Sequence, residues 1–306
     1  MRTSILLRLA LLFLLPPLLP GIISRTKARF AGRRGPSPWQ LYFDLRKLWR
    51  KELALSTTTT WIFVLAPVVG CVAALAAGLL VPLGGNAAPI SFEGDFIFFV
   101  SLLALGRFFT ATGALDTGSA FEGMGAAREV GFAWLTEAAL LFAFLVLARL
   151  SGSLRLAGML RATEGGVWLE RAAPVVLTAA GLFVVLLAEC SRMPIDDPTT
   201  HLELTMIHEV MALDHSGPLL ALVEYGAAVK LFALAALFLH VVAPLPYPGG
   251  LAGAALFAAG LLAVAVLVGI VESTMARLRL LHVPTLLIAA ALSCGFALLL
   301  LGNATR

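Results

Sequence analysis

The run "AAPVVLTAAGLFVVLL", residues 172–187, passes straight into "AECSRMPIDDPTTHLELTMIHEVMALDHSG", residues 188–217. With Ala188 the first stretch gives seventeen uncharged residues, just long enough to cross a hydrocarbon layer as a helix. The second packs six carboxylates and three histidines into thirty residues, a third of the eighteen acids in the chain. A greasy span therefore opens directly onto a densely titratable connecting segment.

The rest of the chain has the same character as the first stretch. Of 306 residues, 60% are hydrophobic and 13% charged, with a mean hydropathy of +0.95; soluble domains carry about 25% charged residues. Apolar runs fall at 4–24, 61–82, 96–115, 130–149, 172–188, 218–243, 250–271 and 284–302. In lipid the backbone must satisfy its own hydrogen bonds, so these runs predict an all-α, polytopic membrane bundle of about eight transmembrane helices. No hydrophilic stretch is long enough for a second domain, so residues 1–306 are expected to form one integral membrane domain. The first run resembles a signal peptide, but no small-x-small site follows it and Arg8 interrupts it, so it is expected to stay as a helix. Pro16, Pro17 and Pro20 should kink that helix, and its neighbours must then shelter the freed carbonyls.

Counted loop by loop, fourteen lysines and arginines fall on one side, Arg107 among them, and seven on the other. Basic loops stay inside, which places both termini outside, the acid-rich segment in the cytoplasm, and the protein in the cell's plasma (inner) membrane. The net charge of +4 has the same origin and is no nucleic-acid footprint. Cys71, Cys190 and Cys294 stand alone, without the paired spacing of a disulfide framework, zinc site or iron–sulfur cluster. Within the inside loop 25–60, "SPWQLYFDLRKLWRKELAL" sets Leu41, Leu45, Leu48 and Trp49 against Arg46, Lys47, Arg50 and Lys51. That is an amphipathic helix for the lipid headgroup layer, or a docking face for a soluble partner.

An ionisable group at mid-membrane costs about 2.5–3.5 kcal/mol and usually lines a wet or buried path. Glu137, Glu224 and Lys230 lie inside apolar runs, His240 lies near the end of one, and Glu189 and Glu272 close two others. Singly, each is as readily packing glue; together they point to a hydrated polar route. In the acid-rich segment, Asp196-Asp197-Pro198 reads as a capped helix start, followed by "TTHLELTMIHEVMAL" with His201, His208 and His215 every seven residues. The spacing does not fit a His-Glu-x-x-His zinc motif, and imidazoles among carboxylates suit proton handling.

These residues carry a resemblance. "AECSRMPIDDPTTHLEL" resembles the signature of the complex I (NADH:quinone oxidoreductase) membrane component that docks the peripheral arm, matching at Glu189, Arg192, Pro194, Asp196, Pro198, Glu203 and Leu204. Three more blocks are similar: one at Gln40, Asp44, Lys47, Leu48, Lys51 and Glu52, one keeping Arg128 and Glu137 nine apart, and one supplying Arg277 and Arg279. Where the quinone enzyme has Glu-Ala-Glu, this chain has Thr199, Thr200 and His201. There it looks instead like the membrane anchor of energy-converting [NiFe] hydrogenases, the formate hydrogenlyase subunit 4 type.

The resemblance implies a membrane anchor and ion-coupling subunit, non-catalytic and with no cofactor of its own. Iron–sulfur clusters and the [NiFe] centre would sit in partners: soluble hydrogenase large and small subunits and iron–sulfur subunits, beside antiporter-like membrane subunits. The coupling path would run through Glu137, Glu189, Asp196, Glu203, Glu209, Glu224 and Lys230. Arg128, Arg192, Arg277 and Arg279 would act as charge partners, with Gln40, Asp44, Lys47 and Lys51 at the docking face. A quinone-reductase subunit with a quinone site stays open as an alternative, as does a stand-alone ion transporter, although the internal repeats common in transporters are not visible.

Overall fold

The computed structural model describes residues 2–84, 88–161, 167–196, 207–244, 247–248 and 250–303. Among them are twelve α-helices and no strand. Those long enough to cross a bilayer are α4 (Trp61–Leu80), α5 (Asp95–Asp116), α6 (Ala120–Ser151), α9 (Ala172–Glu189), α10 (Gly217–Val242), α11 (Leu251–Thr274) and α12 (Val283–Asn303). The candidate for an eighth span is a broken pair. α1 (Arg2–Leu14) and α2 (Leu18–Phe30) meet at a 45° bend, where Pro16 and Pro17 supply no amide hydrogen. Each expected span has its counterpart, because bilayer thickness rather than packing sets the length of an apolar run.

The break leaves carbonyls without helical donors, and side chains from elsewhere fill the gap. The Tyr225 hydroxyl of α10 donates to the Phe13 carbonyl at 3.1 Å, and the Tyr42 hydroxyl donates to that of Leu14. Tyr42 belongs to α3 (Gln40–Leu48), the expected amphipathic helix, which buries no residue and leaves Arg46 and Lys47 exposed. α2 runs on to Phe30, so Arg25, Lys27 and Arg29, expected in a loop, belong to its last turns. Gly21 lets α2 pass against the Pro38 carbonyl, where a Cβ would collide with the backbone.

α10 forms the axis of the bundle: 78% of its spanning window is buried, against 28% for α12 at the periphery. It packs on α4, α9 and α11, while α6 packs on α5, α9 and α12. At the start of α4, Asp116 from the end of α5 accepts from the amides of Thr60 and Phe63, at 2.6 and 3.3 Å. α6 is 32 residues long, about 48 Å, against a hydrocarbon layer of about 30 Å. The expected 130–149 is the part that fits the layer; the first turns project beyond it and carry Glu122, Arg128 and Glu129. On the opposite side lie two short helices, α7 (Leu156–Arg161) and α8 (Val167–Glu170).

The acid-rich segment is the main departure. Its expected helix start at Asp197, together with Thr199, Thr200, His201 and Glu203, lies outside the described residues. From Ile207 onward there is one 3-10 turn, Glu209–Ala212, in place of the expected regular helix. Asp196 caps, but later than expected: its Oδ2 accepts from the amides of Ile207 and His208 at 3.2 and 3.1 Å. Glu122, fully buried, pins the far end by accepting from the Asp214 amide at 3.1 Å. Gly125 on α6 gives the segment room, since a Cβ there would collide with Val210.

Candidate functional site: a buried charge network

An arginine in the middle of an apolar helix needs a carboxylate supplied by another helix. Arg107, the thirteenth residue of α5 and 7% exposed, has two. One terminal nitrogen donates to Glu189 at the end of α9, and the other donates to Glu137 on α6. The second Glu189 oxygen lies 3.8 Å from the ammonium of Lys230 on α10. Four helices thus meet through four charged side chains. The Glu189 side chain is 3% exposed and that of Glu137 35%, so the network is sealed at one end and reaches the bundle surface at the other.

Beside it lies a cavity of about 60 Å3, lined on its polar side by Arg107, Thr110, Glu129, His208 and Lys230. That is room for on the order of four waters, with enough polar groups to hold them. A smaller cavity of about 20 Å3 touches Glu129, Thr136, Glu189 and Asp196, so Glu129 borders both. Another of about 20 Å3 is lined by His208 and His215. The two histidines therefore share a space, but through a 3-10 turn rather than a common helical face.

A second set of pairs closes the same end of the bundle. Glu272 of α11, its side chain fully buried, lies 3.0 Å from Lys27 of α2 and 3.6 Å from Arg192. Arg277 pairs with Asp196 at 3.2 Å. Outside the spans, burial pushes the His208 pKa down to about 3, with Lys230 adding to the effect, and burial also lowers that of His215. Glu209 moves the other way: burial first, then the carboxylates of Glu224 and Asp196, push its pKa up to about 7.

Of the residues singled out from sequence, Glu137, Glu189 and Lys230 come together, and Asp196, Arg192 and Arg277 form the neighbouring pairs. Glu224 sits about two turns into α10, where the run 218–243 put it, but its side chain is exposed and stands apart from the Arg107 pairs. Arg128 is half-buried on α6, and the ion pair to Glu137 comes from Arg107. Arg279 is exposed, with no ion pair among the described residues. Gln40 and Asp44 bond each other along α3 at 3.0 Å, and Lys47 and Lys51 are exposed. Sequence reasoning missed Arg107, counted there as an inside loop charge, and also Glu122, Glu129 and the Lys27–Glu272 pair. A cation at the centre of the run 96–115 was the available signal for the first. Among the described residues, no group of three or more His, Cys, Asp or Glu side chains is placed to hold a metal ion.

Residues 3–303 match the NADH dehydrogenase family. The chain is 34% identical to hydrogenase-4 component C of Escherichia coli (strain K12) over 277 residues, which cover 89% of this chain and 86% of that protein. It is 32% identical to formate hydrogenlyase subunit 4 of the same organism over 282 residues, 90% of each chain. A subunit of the NADH-quinone oxidoreductase of Rubrobacter xylanophilus is 25% identical over 194 residues, 63% of this chain and 58% of that one. Among solved structures, a chain of the membrane-bound sulfane sulfur reductase, an archaeal respiratory membrane complex, superposes with a TM-score of 0.79. The match is 21% identical and covers 96% of this chain and 99% of that one.

Proposed function

The chain belongs to the NADH dehydrogenase family, as a multi-pass membrane subunit of the hydrogenase and complex I-like kind, and from that premise we propose that it anchors a hydrogenase-type soluble arm and couples the arm's redox chemistry to ion movement. Iron–sulfur and [NiFe] chemistry belongs to the partner subunits in this reading. The hydrogenase-type relatives are matched along about nine-tenths of their length and the quinone-reductase relative along 58%, which favours the hydrogenase type. The lysine and arginine bias supports a cytoplasmic acid-rich end with both termini outside. The exposed basic face of α3 would meet the arm there.

The observation that carries the coupling half is Arg107 held between Glu137 and Glu189 beside water-sized cavities. Two cations, Arg107 and Lys230, face three carboxylates, Glu129, Glu137 and Glu189. Full ionisation leaves one excess negative charge in a low-dielectric site, which an added proton relieves. A proton arriving by way of the His208 cavity would pass to Glu129, cross the second cavity, and exchange the carboxylate that Arg107 holds. Glu137, partly open at mid-helix, would hand the charge to a neighbouring membrane subunit, since lipid is a costly surface for a carboxylate.

The test is Glu129→Gln, which keeps shape and most hydrogen bonding but removes the titratable group. In proteoliposomes with equal arm content, the variant complex should assemble and lose ion uptake while the arm keeps its artificial-acceptor activity. Normal ion uptake would remove Glu129 from the route.

A further inference from the structure

The charge network occupies one end of the bundle. At the other end, where α6 and α12 finish and α9 begins, a different arrangement is built that the network does not use. Along the outside of α6 and α12 runs an apolar groove of about 760 Å3, whose walls include Trp134, Ala138 and Phe142 of α6 and Ile288, Gly295 and Leu299 of α12. From Ile288 to Leu299 it follows eleven residues of helix, about 16 Å, roughly half of the ~30 Å hydrocarbon thickness. The groove is about as long as one leaflet is thick. A Cβ added at Gly295 would meet nothing within 4 Å, so packing inside this chain does not call for that glycine.

Beyond the Leu299 end, a second cavity of about 160 Å3 opens among Arg149, Glu170 and Arg171, floored by Leu150, Val167 and Leu301. Phe142 and Arg149 are seven residues apart on α6 and share a face, so the groove leads toward the guanidinium. Neither Arg149 nor Arg171 forms an ion pair among the described residues. Arg171 is also the N-cap residue of α9, and the start of a helix favours negative charge. Among the described residues, two guanidiniums against the one carboxylate of Glu170 leave the pocket with a single unmatched positive charge.

We propose that this is a binding site for an anionic phospholipid, its phosphodiester between Arg149 and Arg171 and one acyl chain laid along the groove toward Ile288. The geometry distinguishes this occupant from the others. A free phosphate has no use for a trough of about 16 Å. A transmembrane helix of another subunit crosses both leaflets, about 30 Å, roughly twice the length of this groove. A phospholipid needs one leaflet of apolar wall with a cationic pocket at its outer end. A phosphodiester also carries one negative charge, which the pocket matches.

The test uses the purified complex, delipidated in mild detergent, and follows its thermal midpoint as phosphatidylglycerol, phosphatidylcholine or inorganic phosphate is added. Phosphatidylglycerol should raise the midpoint at concentrations where the other two do not. Arg149→Gln with Arg171→Gln should shift the half-effective phosphatidylglycerol concentration upward about tenfold or more, the scale set by two basic side chains at an anionic headgroup. A Cβ at Gly295 meets nothing within 4 Å, so Gly295→Leu projects into the groove and should weaken the response while leaving the lipid-free midpoint unchanged. Three results each overturn the proposal: equal responses to the two lipids, the same shift from phosphate alone, or a charge-neutralised variant that keeps its preference. Loss of a neighbouring subunit from the Gly295→Leu complex with the lipid response intact would assign the groove to a partner helix and also overturn it.

Discussion

Arg107 and Glu189 stand 82 residues apart in sequence and hold each other in the centre of the bundle, the guanidinium from the middle of α5 and the carboxylate from the last residue of α9. A mid-helix cation and a helix-terminal anion thus fix how far α9 reaches before the acid-rich segment begins.

Removing one partner of such a pair leaves the other buried and uncompensated, which costs about 3–5 kcal/mol. Arg107→Gln should fall near the lower end of that range, about 3 kcal/mol, because Lys230 stays beside Glu189. Adding Glu189→Gln should recover part of the loss, since the stranded charge goes too. A double-mutant cycle on thermal midpoints of the purified protein measures both, and an Arg107→Gln midpoint equal to wild type would show the pair to be dispensable.

Glu209 gives a pH dependence with a definite sign. Its pKa moves from 4.5 up to about 7, so folding favours the protonated form, helped by Glu224 and Asp196 and opposed by Arg192. The stabilising contribution is complete below 4.5 and is lost as the pH climbs through 7. The difference in thermal midpoint between wild type and Glu209→Gln should therefore widen from about pH 4.5 to about 8 and then level off. A constant difference across that interval would mean that Glu209 does not titrate there.

The exposed basic residues of α3 and of the turn that follows it predict a salt-sensitive attachment. Replacing Arg46, Lys47, Arg50 and Lys51 together with Gln should release the soluble arm at moderate salt, where remaining surface attractions are screened, with membrane insertion unaffected. The same preparation tests orientation in a background lacking the native cysteines. Ser37→Cys should be protected from an impermeant thiol reagent in intact cells and Leu154→Cys should react. The arm staying bound would sink the docking claim, and the reverse labelling pattern would invert the topology.

What the sequence made legible follows from what the bilayer imposes. Spans such as 61–82 and 284–302 fall within a few residues of α4 and α12 because length and hydropathy are local properties. Charge partners are not local. Arg107 looked like a loop charge because its two carboxylates come from α6 and α9, and only helix packing brings them together. Glu129 was passed over because it lies before the apolar part of α6, on turns that the hydrocarbon thickness alone did not demand. Glu224 falls in α10 as its run implied, but which way a helical residue faces depends on the neighbouring helices, and here its side chain is exposed. Periodicity suggested one long helix through His208, whereas Asp196 takes the amides of Ile207 and His208 and permits only a 3-10 turn beyond them.

The bend between α1 and α2 sets an order for biogenesis. The stranded carbonyls of Phe13 and Leu14 receive their hydrogen bonds from hydroxyls that lie 212 and 28 residues further along the chain, and lipid offers no donor in their place. The span formed by α1 and α2 is therefore completed only by residues made much later. It enters the membrane with its backbone unsatisfied at the break, and it settles only when α10 has been synthesised and has brought Tyr225 alongside.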